Sequence, residues 1–387
     1  MSIFDKSDIT ISELADIHPS VYILVDIRDD ISFQYGTIPG AVQIPDILQK
    51  AQDGLLDNEK GYVLFCMHGI QSAEMAYELK DLGIDAVSLK GGYSAWMISS
   101  FKEDYGDKQS EVELSIRKKF HKQLFTPFAK AINVYDMLQP GDRVAVCISG
   151  GKDSMLMAKL IQMLHRHSDV KFNVEYLVMD PGYNEINRQK IESNAKLLEI
   201  PITVFETNIF DVANNTERSP CYVCAKMRRG HLYHKAKDLG CNKIALGHHL
   251  SDVIETTVMA MFYGSQLQGM MPKLHSLNFG GMELIRPMYC INEQDIVNWK
   301  NYNGLQFIQC ACRFTESCTV CDNGGGGSKR QEIKALIKRL KRENPNIEKS
   351  IFNSLHSVCI ETFPGFKAGG ELHSFLEDYE NRKPQKA

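Results

Sequence analysis

Residues 143–156 read RVAVCISGGKDSML, and this stretch decides the fold class of the chain. The apolar run at 144–148 predicts a buried strand, and an apolar helical pattern begins at Met155. Two glycines between strand and helix allow backbone N–H groups to approach a phosphate, and a helix N-terminus attracts negative charge. The loop is not of the Walker A type, because the spacing GxxxxGK[ST] is absent. The stretch therefore predicts an α/β fold with a short glycine loop that can bind a phosphate group.

Alternating strand and helix patterns extend from this loop in both directions. Helical patterns, such as the one at 72–82, separate the apolar runs, and this succession favours parallel sheets. The strand candidates are residues 21–27, 62–65, 86–89, 143–148, 173–179, 202–206, 243–246 and 283–286. A polar stretch, KEDYGDKQSEV at 102–112, divides them, and GGGGS at 324–328 has the composition of a flexible loop. We therefore expect a small α/β domain at 1–102, a linker at 103–112 and a second α/β domain at 113–387, whose parallel sheet is flanked by helices.

Composition bounds the class of protein only loosely. A length of 387 residues, 43% of them hydrophobic, is enough for two or three compact domains. The formal net charge is −4, so nothing global indicates nucleic-acid binding. Two local stretches are basic: 114–122, which contains no acid, and 329–342, whose single acid is Glu332. Each stretch either binds a polyanion or forms a solvated helix face.

The chain has eleven cysteines, and their redox state depends on the cellular compartment of the protein. The N-terminus lacks the apolar core of a secretion signal, and no stretch approaches the roughly 18 apolar residues that span a bilayer. We therefore expect a cytoplasmic protein without a membrane partner, whose cysteines are reduced and, when closely spaced, metal-binding or catalytic. Four cysteines in apolar sequence surroundings are expected to be core thiols: Cys147, Cys241, Cys290 and Cys359.

Cys66 follows the apolar run at 62–65 and begins the loop CMHGIQS, which leads into a helix. Converging backbone N–H groups and a helix N-terminus lower the pKa of a thiol and hold an anionic sulfur. With DIR at 26–28, GTIPGA at 36–41 and GGYSAW at 91–96, this loop resembles a single-domain rhodanese over about residues 8–100. The resemblance implies that Cys66 is catalytic and carries sulfur as a persulfide. Thr37 and Gln71 stand where the family usually has His and Arg, which puts thiosulfate-type donors in doubt; the alternative is an inactive rhodanese used for docking.

The loop SGGKDS at 149–154 resembles the SGGxDS signature of PP-loop ATP pyrophosphatases. Such enzymes cleave ATP between the α- and β-phosphates, adenylate a carbonyl-type oxygen and later expel AMP. The resemblance implies ATP and Mg²⁺ as cofactors, with the ends of the second and fourth strands at the nucleotide. The expected ATP-binding residues are Ser149, Gly150, Gly151, Lys152, Asp153, Ser154, Asp180, Gly247 and His248, and the expected catalytic carboxylates are Asp153 and Asp252. His248 and His249 equally fit ordinary packing at a strand end.

A further chemical signal is the segment CYVCAKMRRG at 221–230. Two cysteines three residues apart can ligate one metal centre, and the pair alone fits a redox site, zinc or an iron–sulfur cluster. Later cysteines supply further ligands: Cys310, Cys312, Cys318 and Cys321. A structural zinc site made by Cys221, Cys224 and two later cysteines is one interpretation.

Residues 113–365 resemble the tRNA 2-thiocytidine synthetase family almost end to end. The resemblance rests on 141–154, 221–230, GHHLSDVIETTVMAMFYG at 247–264, IRP at 285–287 and IFNSLHSVCIETFPGF at 351–366. It implies an oxygen-sensitive [4Fe-4S] cluster held by three cysteines, with one iron open to the sulfur that is inserted. Cys221 and Cys224 map onto two ligands. Cys312 is the expected third, with Cys310 as the alternative, because the family pattern there is one residue longer; Cys318 and Cys321 have no counterpart.

The same resemblance implies a tRNA substrate. A helix expected at 328–342 carries apolar residues on one face and bases on the other. Selection of one base implies a single-stranded loop whose target is splayed into the pocket. The expected tRNA-binding residues are Arg117, Lys118, Lys119, Arg228, Arg229, Lys338 and Arg339.

The expected reaction is 2-thiolation of a tRNA cytidine, with position 32 as the implied site. ATP binds at 149–154 with Mg²⁺, the cytidine O2 attacks the α-phosphorus, sulfur held at the cluster attacks C2, and AMP leaves. A cysteine desulfurase or another persulfide donor would load Cys66, and fusion of the two domains raises the local concentration of that sulfur. The alternatives are a uridine 2-thiolase, a PP-loop ligase that forms a C–N bond and a non-enzymatic redox sensor. The oligomeric state is left open, with a homodimer as one option.

Overall fold

The computed structural model describes residues 3–35, 37–57, 60–99, 106–207, 209, 220–308, 329–377 and 379. Within these ranges the helical residues 31, 34, 35, 97, 98, 106, 107 and 220–226 are described by their backbone only. The described strands form a five-stranded sheet, a six-stranded sheet and a two-stranded hairpin.

The first sheet is wholly parallel and has the order β1-β5-β4-β2-β3. Its strands are β1 Asp8–Ile9, β2 Tyr22–Asp26, β3 Val42–Gln43, β4 Gly61–Phe65 and β5 Ala86–Leu89. All five residues of the central strand β4 are buried. Val63 and Phe65 pack in one apolar cluster, whereas Tyr62 and Leu64 pack in another. This alternation places a core on each face of the sheet.

Short helices cover both faces of this sheet. They are α1 Ile11–Ala15, α2 Asp30–Tyr35, α3 Ile47–Gln52, α4 Ile70–Asp81 and α5 Gly92–Ser99, with 3₁₀ turns at Ile3–Asp5 and Pro19–Val21. A capping box starts α1, because the Thr10 side chain accepts from the Glu13 backbone N–H and the Glu13 carboxylate accepts from the Thr10 N–H. The helix α4 begins four residues after Cys66, at the carboxyl end of β4.

The second sheet has the order β10-β11-β9-β6-β7-β8 and is parallel except for the edge strand β10. Its strands are β6 Arg143–Ile148, β7 Asn173–Asp180, β8 Ile202–Glu206, β9 Lys243–Ala245, β10 Lys273–His275 and β11 Glu283–Ile285. From β6 the chain builds β7 and β8 on one side and then crosses to β9 on the other. The strand order therefore reverses at β6, and ligands of such sheets bind at the carboxyl ends of the strands beside this reversal.

Helices pack on this sheet and precede it. They are α6 Gly106–Arg117, α7 Thr126–Val134, α8 Lys152–His167, α9 Glu185–Leu197, α10 Pro220–Asp238 and α12 Glu293–Tyr302, with a π-helical turn at His121–Phe125. The helix α11 Leu250–Gly264 lies between α10 and α12 in the sequence. Every residue of α8 from Ser154 to Met163 is buried. A helix buried on all sides is a core element, so the loop before it is anchored at its helical end.

The chain divides into two compact units: Met1–His249 with Met271–Asn323, and Leu250–Met270 with Gly324–Ala387. The second unit contains α11 and four later elements: α13 Lys329–Glu343, α14 Ile347–Ser354 and the antiparallel hairpin β12 Gly365–Ala368 with β13 Glu371–Ser374. Two 3₁₀ turns flank the hairpin, at Ile360–Thr362 and Phe375–Glu377. Ile254 and Val258 of α11 pack against Ile333 and Ile337 of α13. The apolar face of the basic helix is thus buried, as its sequence pattern predicts.

The predicted fold class is confirmed: two parallel α/β sheets flanked by helices follow one another along the chain. The helix α6 begins at Gly106, inside the stretch expected to be a linker. Its buried Val112 and the hydrogen bond from Gln109 Nε2 to Lys196 O, 3.1 Å long, tie it to the second sheet's helices. Polar composition alone does not distinguish such a surface helix from a linker.

Two of the four expected core thiols, Cys147 and Cys241, are buried, and Cys290 is half-buried. Burial raises the pKa of Cys147 to about 12 and that of Cys241 to about 11. The expectation for Cys359 is wrong, because this residue is exposed. It is the N-cap of a three-residue 3₁₀ turn, where Val358 and Ile360 are exposed as well.

Among the residues that the structure describes, no helix combines the length and the apolar character that crossing a bilayer requires.

Candidate functional site

The glycine loop 149–151 joins the end of β6 to the start of α8. Gly150 has a φ of +85°, a conformation that favours glycine. A Cβ built on it would lie 2.6 Å from Ile191 Cγ1 and 2.6 Å from Ile308 Cδ1. The loop therefore has no room for a side chain at this position, and Gly150 itself is buried.

Two serines shape the same loop. The Ser154 hydroxyl oxygen accepts from the Ser149 backbone N–H at 3.1 Å, and it donates to the Gly151 carbonyl at 3.0 Å. The two hydroxyls also lie 3.1 Å apart. Ser154 is buried, whereas Ser149 is exposed. Ser154 thus holds the turn closed, and Ser149 stands at its open side.

A cavity of about 270 Å³ opens at this turn. Residues from β6, β7, α8 and α10 meet there with the segment that follows β9, at the carboxyl ends of the strands beside the order reversal. Its lining is Cys147, Ile148, Ser149, Asp153, Ser154, Met179, Tyr183, Arg228, Leu232, Leu246, Gly247 and His248. The lining combines apolar side chains with the Arg228 guanidinium, the Asp153 carboxylate and hydroxyl groups. Small-molecule sites commonly have this composition, apolar with a few placed polar groups.

Gly247, which follows β9, lies close to the backbone at the start of α8. A Cβ added there would lie 3.2 Å from the Ser154 backbone N and Cα. A side chain here would require its neighbours in α8 to shift by a few tenths of an ångström, so the glycine permits this close approach. Gly247 and His248, both expected at the nucleotide, line the cavity.

Lys152 points away from the open side of the loop. Its side chain is 8% exposed, and its Nζ lies 3.0 Å from both carboxylate oxygens of Asp153 and 3.2 Å from Glu293 Oε1. Asp153 is less buried, with 30% of its side chain exposed, and its Oδ1 lies 3.8 Å from His249 Nε2. Lys152 therefore orients Asp153, and the Asp153 carboxylate is the charged group of the pair that faces the cavity.

The Asp180 carboxylate is engaged within the protein. Its Oδ1 accepts from the backbone N–H groups of Gly182 at 2.8 Å and Tyr183 at 2.7 Å, and its Oδ2 accepts from Arg188 Nη1 at 2.7 Å. Asp180 is 6% exposed. These bonds shape the turn after β7 and place Tyr183, rather than the carboxylate itself, in the cavity lining.

Asp252, expected as a catalytic carboxylate, lies in the second unit, in the first turn of α11. Arg330 of α13 binds it through Nη2 and binds Glu255 Oε2 through Nε at 2.7 Å. Within this unit the arginine therefore pins α13 to α11 beside Asp252.

Cys66 is buried at the carboxyl end of β4, and its sulfur accepts two hydrogen bonds. The Gly69 backbone N–H donates to Sγ at 3.1 Å and the Ser72 hydroxyl at 3.5 Å. Burial by itself raises the pKa of the thiol, but hydrogen bonds from Ser72 and from the backbone N–H groups of His68 and Gly69 outweigh it and lower the pKa overall. This is the environment of a reactive cysteine.

A buried ion pair stands near this loop. Arg28 Nε and Nη2 donate to the two carboxylate oxygens of Asp26, at 2.9 and 2.6 Å, and the Thr37 hydroxyl donates to Asp26 Oδ2 at 2.7 Å. Thr37 thus completes the pair with a neutral donor. Gln71, in the first turn of α4, is exposed.

The expected metal ligands lie mostly outside the described residues. Cys221 and Cys224 belong to the first turn of α10, where positions three apart share a face, but their side chains are not described. Cys310, Cys312, Cys318 and Cys321 fall in 309–328, outside the described residues. Within the part that is described, no three His, Cys, Asp or Glu side chains gather so as to hold a metal ion.

The expected tRNA-binding residues separate into different environments. Arg117, Lys118 and Lys119 are exposed on or just after α6; Arg117 pairs with Glu113 at 2.7 Å, and the Lys119 ammonium lies 3.6 Å from the Tyr302 ring centroid. Lys338 and Arg339 are exposed on α13, and Arg229 is exposed on α10.

Arg228 is half-buried and lines the cavity at the glycine loop, whereas its neighbour Arg229 is exposed. The sequence motif CYVCAKMRRG singles out both arginines but does not tell which of them faces the cavity.

Sequence reasoning missed two residues at these sites: Glu293, which binds Lys152 from 141 positions away, and Ser72, which donates to Cys66. His249, singled out with His248 at the strand end, approaches Asp153. Of the two missed residues, only Ser72 left a usable signal, since it stands in the helix that follows the cysteine loop. Partners that come from distant elements leave no mark in local spacing.

Comparison with known proteins agrees with this geometry. Residues 117–312 match the model of the PP-loop domain, and residues 10–99 match that of the rhodanese-like domain. The tRNA-cytidine(32) 2-sulfurtransferase of Citrifermentans bemidjiense is 34% identical over 232 residues, which are 59% of this chain and 88% of that protein. The protein of the same name from Geobacter metallireducens is 32% identical over 246 residues, 63% of this chain and 92% of its own length.

A solved structure shares the fold. The U34-tRNA thiolase NcsA from Methanococcus maripaludis, determined with its [4Fe-4S] cluster, superposes with a TM-score of 0.50 at 20% identity and covers 64% of this chain and 81% of that chain. The glycine loop, the cavity at the strand-order reversal and the extent of these matches lead to one conclusion: the chain belongs to the PP-loop family of tRNA-cytidine 2-sulfurtransferases and carries a rhodanese-like domain ahead of its PP-loop domain.

Proposed function

We propose that this chain is an ATP-dependent tRNA sulfurtransferase that converts a tRNA cytidine, at position 32 as in the named relatives, into 2-thiocytidine. The observation that carries the proposal is the cavity of about 270 Å³ at the head of α8, which Ser149, Asp153 and Ser154 of the glycine-loop motif line. A tRNA substrate, and cysteines that act as thiols, favour a cytoplasmic location for such an enzyme.

ATP is the first substrate of the proposed reaction. The loop backbone and the N-terminus of α8 receive its phosphates, with Arg228 and the Ser149 hydroxyl as further donors. Asp153 supplies the carboxylate oxygen that would hold Mg²⁺ between protein and phosphates. Attack of the cytidine O2 on the α-phosphorus releases pyrophosphate and attaches AMP to the base. The C2–oxygen bond then has a good leaving group, whereas the free carbonyl has none.

Sulfur replaces AMP in the second half of the reaction. A sulfur nucleophile at the oxidation level of sulfide attacks C2, the C2–O bond breaks, and AMP leaves with its electron pair. Cys221, Cys224 and Cys312, or Cys310 in place of the last, are the thiolates that would hold a [4Fe-4S] cluster, which is a suitable donor set for iron. When bound, the cluster would supply an iron with an open position for sulfur.

Cys66 supplies the sulfur when the donor is a protein. Its lowered pKa favours the thiolate, and the Gly69 N–H and the Ser72 hydroxyl can hold the charge of a terminal persulfide sulfur. A cysteine desulfurase, which offers sulfur as a persulfide, fits this chemistry. The neutral Thr37 and Gln71 leave the loop without the extra charge that would attract thiosulfate.

The decisive experiment is nucleoside analysis by mass spectrometry after anaerobic incubation of reconstituted enzyme with tRNA, ATP, Mg²⁺ and sulfide. We expect 2-thiocytidine together with AMP and pyrophosphate, and none of these with Asp153→Asn. Lys171→Gln, on the exposed loop before β7, is the matched control and should retain full activity. A 2-thiouridine product would show that the substrate is a uridine and not a cytidine. Absence of pyrophosphate in the presence of tRNA would overturn the proposed reaction.

A further inference from the structure

Tyr93, in the first turn of α5, is joined directly to the Cys66 loop. Its backbone N–H donates to the Cys66 carbonyl at 2.9 Å, and the next residue, Ser94, donates to the Met67 carbonyl at 3.0 Å. A Cβ on Gly92 would lie 2.4 Å from the Cys66 carbonyl oxygen. The start of α5 and the cysteine loop therefore move as one piece.

The Tyr93 side chain crosses from this piece to the PP-loop domain. The ring is 6% exposed and is held between the Arg28 guanidinium, 4.0 Å from its centroid, and the Trp96 ring at 5.6 Å. Its hydroxyl donates to Gln306 Oε1 at 2.9 Å. Burial, offset in part by Arg28, raises the pKa of Tyr93 to about 12, so the hydroxyl keeps its proton and remains a donor at neutral pH.

Gln306 belongs to a short segment that is fixed on its other side. Asn194 Nδ2 of α9, a residue 4% exposed, donates to the Gln306 carbonyl at 2.8 Å. Two residues later Ile308 is buried, and its Cδ1 occupies the space that a Cβ on Gly150 would need. The same segment therefore touches the rhodanese-like domain at Gln306 and the ATP loop at Ile308.

An apolar contact supports the hydrogen bond. Ile186, near the start of α9, packs against the rhodanese core cluster that contains Tyr93 and Phe65. The helix α9 thus contacts the rhodanese-like domain through Ile186 and the ATP loop through Ile191. A polar and an apolar contact therefore join the cysteine loop's surroundings to the elements that frame the ATP loop.

We infer that Tyr93 and Gln306 are positioning residues: their hydrogen bond holds the Cys66 loop against the PP-loop domain of the same chain, so that sulfur carried on Cys66 is delivered within the molecule. The inference rests on the proposed function and adds the contact through which the relay works. Without the bond, Cys66 still accepts sulfur but meets its acceptor less often.

The transfer needs no partner beyond thiols. An acceptor thiolate of the chain attacks the terminal sulfur of the Cys66 persulfide, the S–S bond breaks, and Cys66 leaves as a thiolate while the acceptor becomes the persulfide. The oxidation level of the moving sulfur does not change in this step. Its later release as the thione takes two electrons, which a dithiol reductant supplies.

The test uses the full chain with Tyr93→Phe, Gln306→Leu and the double variant. Each is loaded with ³⁵S on Cys66 by a cysteine desulfurase, and transfer of the label to tRNA is followed with ATP and dithiothreitol under anaerobic conditions. Excess unlabelled sulfide is present, so that any labelled sulfide released from Cys66 into solution is diluted. We expect each single variant to slow this transfer about tenfold, as for removal of one hydrogen bond. Persulfide loading and thiolation from free sulfide should stay within about twofold of wild type, and the double variant should fall no further than the singles.

Tyr62→Phe is the matched control. The Tyr62 hydroxyl is also buried in the rhodanese core, but it bonds to Asp57, at 2.8 and 3.0 Å, and does not cross to the PP-loop domain. It should leave transfer from Cys66 unchanged.

Several outcomes would overturn the inference. These are a wild-type transfer rate in Tyr93→Phe, an equal loss with sulfide and with persulfide, or an equal loss in Tyr62→Phe. Failure of thiolation with both donors in the wild type would overturn the proposed function and the inference together. If Cys66→Ser supports desulfurase-driven thiolation as well as wild type does, the relay itself is wrong, although the sulfide reaction stands.

Discussion

Replacing Gly150 by Ala tests whether the ATP loop is shaped by the close approach of its neighbours. Gly150 has a φ of +85°, which strains any residue with a Cβ. The new methyl group would also lie 2.6 Å from carbon atoms of Ile191 and Ile308, well inside their contact distance. These isoleucines are 0% and 7% exposed, so neither has free space into which to move.

Gly141 offers a matched control for the strain alone. Its φ is +89°, nearly the same, but a Cβ there would meet no atom within 4 Å. Gly141→Ala should therefore lower the free energy of unfolding only by the backbone cost, roughly 1–2 kcal/mol. Gly150→Ala adds overpacking of about 1–3 kcal/mol, for a total of about 2–5 kcal/mol.

The free energies of unfolding are measured by denaturant titration, and pyrophosphate release is measured with ATP and tRNA. A loop displaced by about an ångström should slow pyrophosphate release about 100-fold in Gly150→Ala, and Gly141→Ala should release it normally. The reasoning is refuted if both variants lose the same stability, or if Gly150→Ala releases pyrophosphate at the wild-type rate.

Three further predictions concern single groups. Ser72→Ala should move the alkylation of Cys66 by iodoacetamide to higher pH, because the Ser72 hydrogen bond lowers the pKa of that thiol in the wild type; an unchanged pH profile would contradict this. Arg228→Ala should raise the KM for ATP about tenfold or more, as for removal of a charge-assisted hydrogen bond, with little change in the salt dependence of tRNA binding. The double variant Lys338→Ala/Arg339→Ala should leave the KM for ATP unchanged and alter the salt dependence of tRNA binding. The slope of log affinity for tRNA against log salt should flatten by roughly 0.7–0.9 for each phosphate that is no longer neutralised. An unchanged slope in a filter-binding titration would show that α13 does not bind tRNA.

Local pattern was enough to predict most strands of both sheets, but not the two-residue strands β1 and β3. Residues 143–148 and 202–206 were predicted with the observed bounds, because each is an apolar run between turn residues. The edge strand Lys273–His275 was not predicted, since it has three residues, two of them exposed, and is defined only by its pairing with β11. The helix start at Gly106 escaped prediction for a related reason: its few buried residues become visible only against the helices that cover them.

The two reactive loops were also predictable, because each is a contiguous run whose chemistry depends on neighbouring backbone. Cys66 and the 149–154 loop sit at strand ends as their spacing indicated. What the loops contact was not predictable. Lys152 was expected at the phosphates, yet its ammonium is turned inward to Glu293, and Asp180 uses its carboxylate on its own turn and on Arg188. These pairings depend on side chains that converge from separate elements.

The order of residues along the chain by itself determined the two α/β domains, the phosphate loop and the cysteine loop, because strand and helix periods and glycine turns act over a few residues. The tertiary structure alone decided that Arg228 faces the nucleotide cavity, that Glu293 holds Lys152, and that Tyr93 reaches Gln306 across 213 positions. The physical reason is range: backbone geometry is set by near neighbours, whereas a hydrogen bond or an ion pair forms wherever packing brings two side chains within about 3 Å, whatever their distance in sequence.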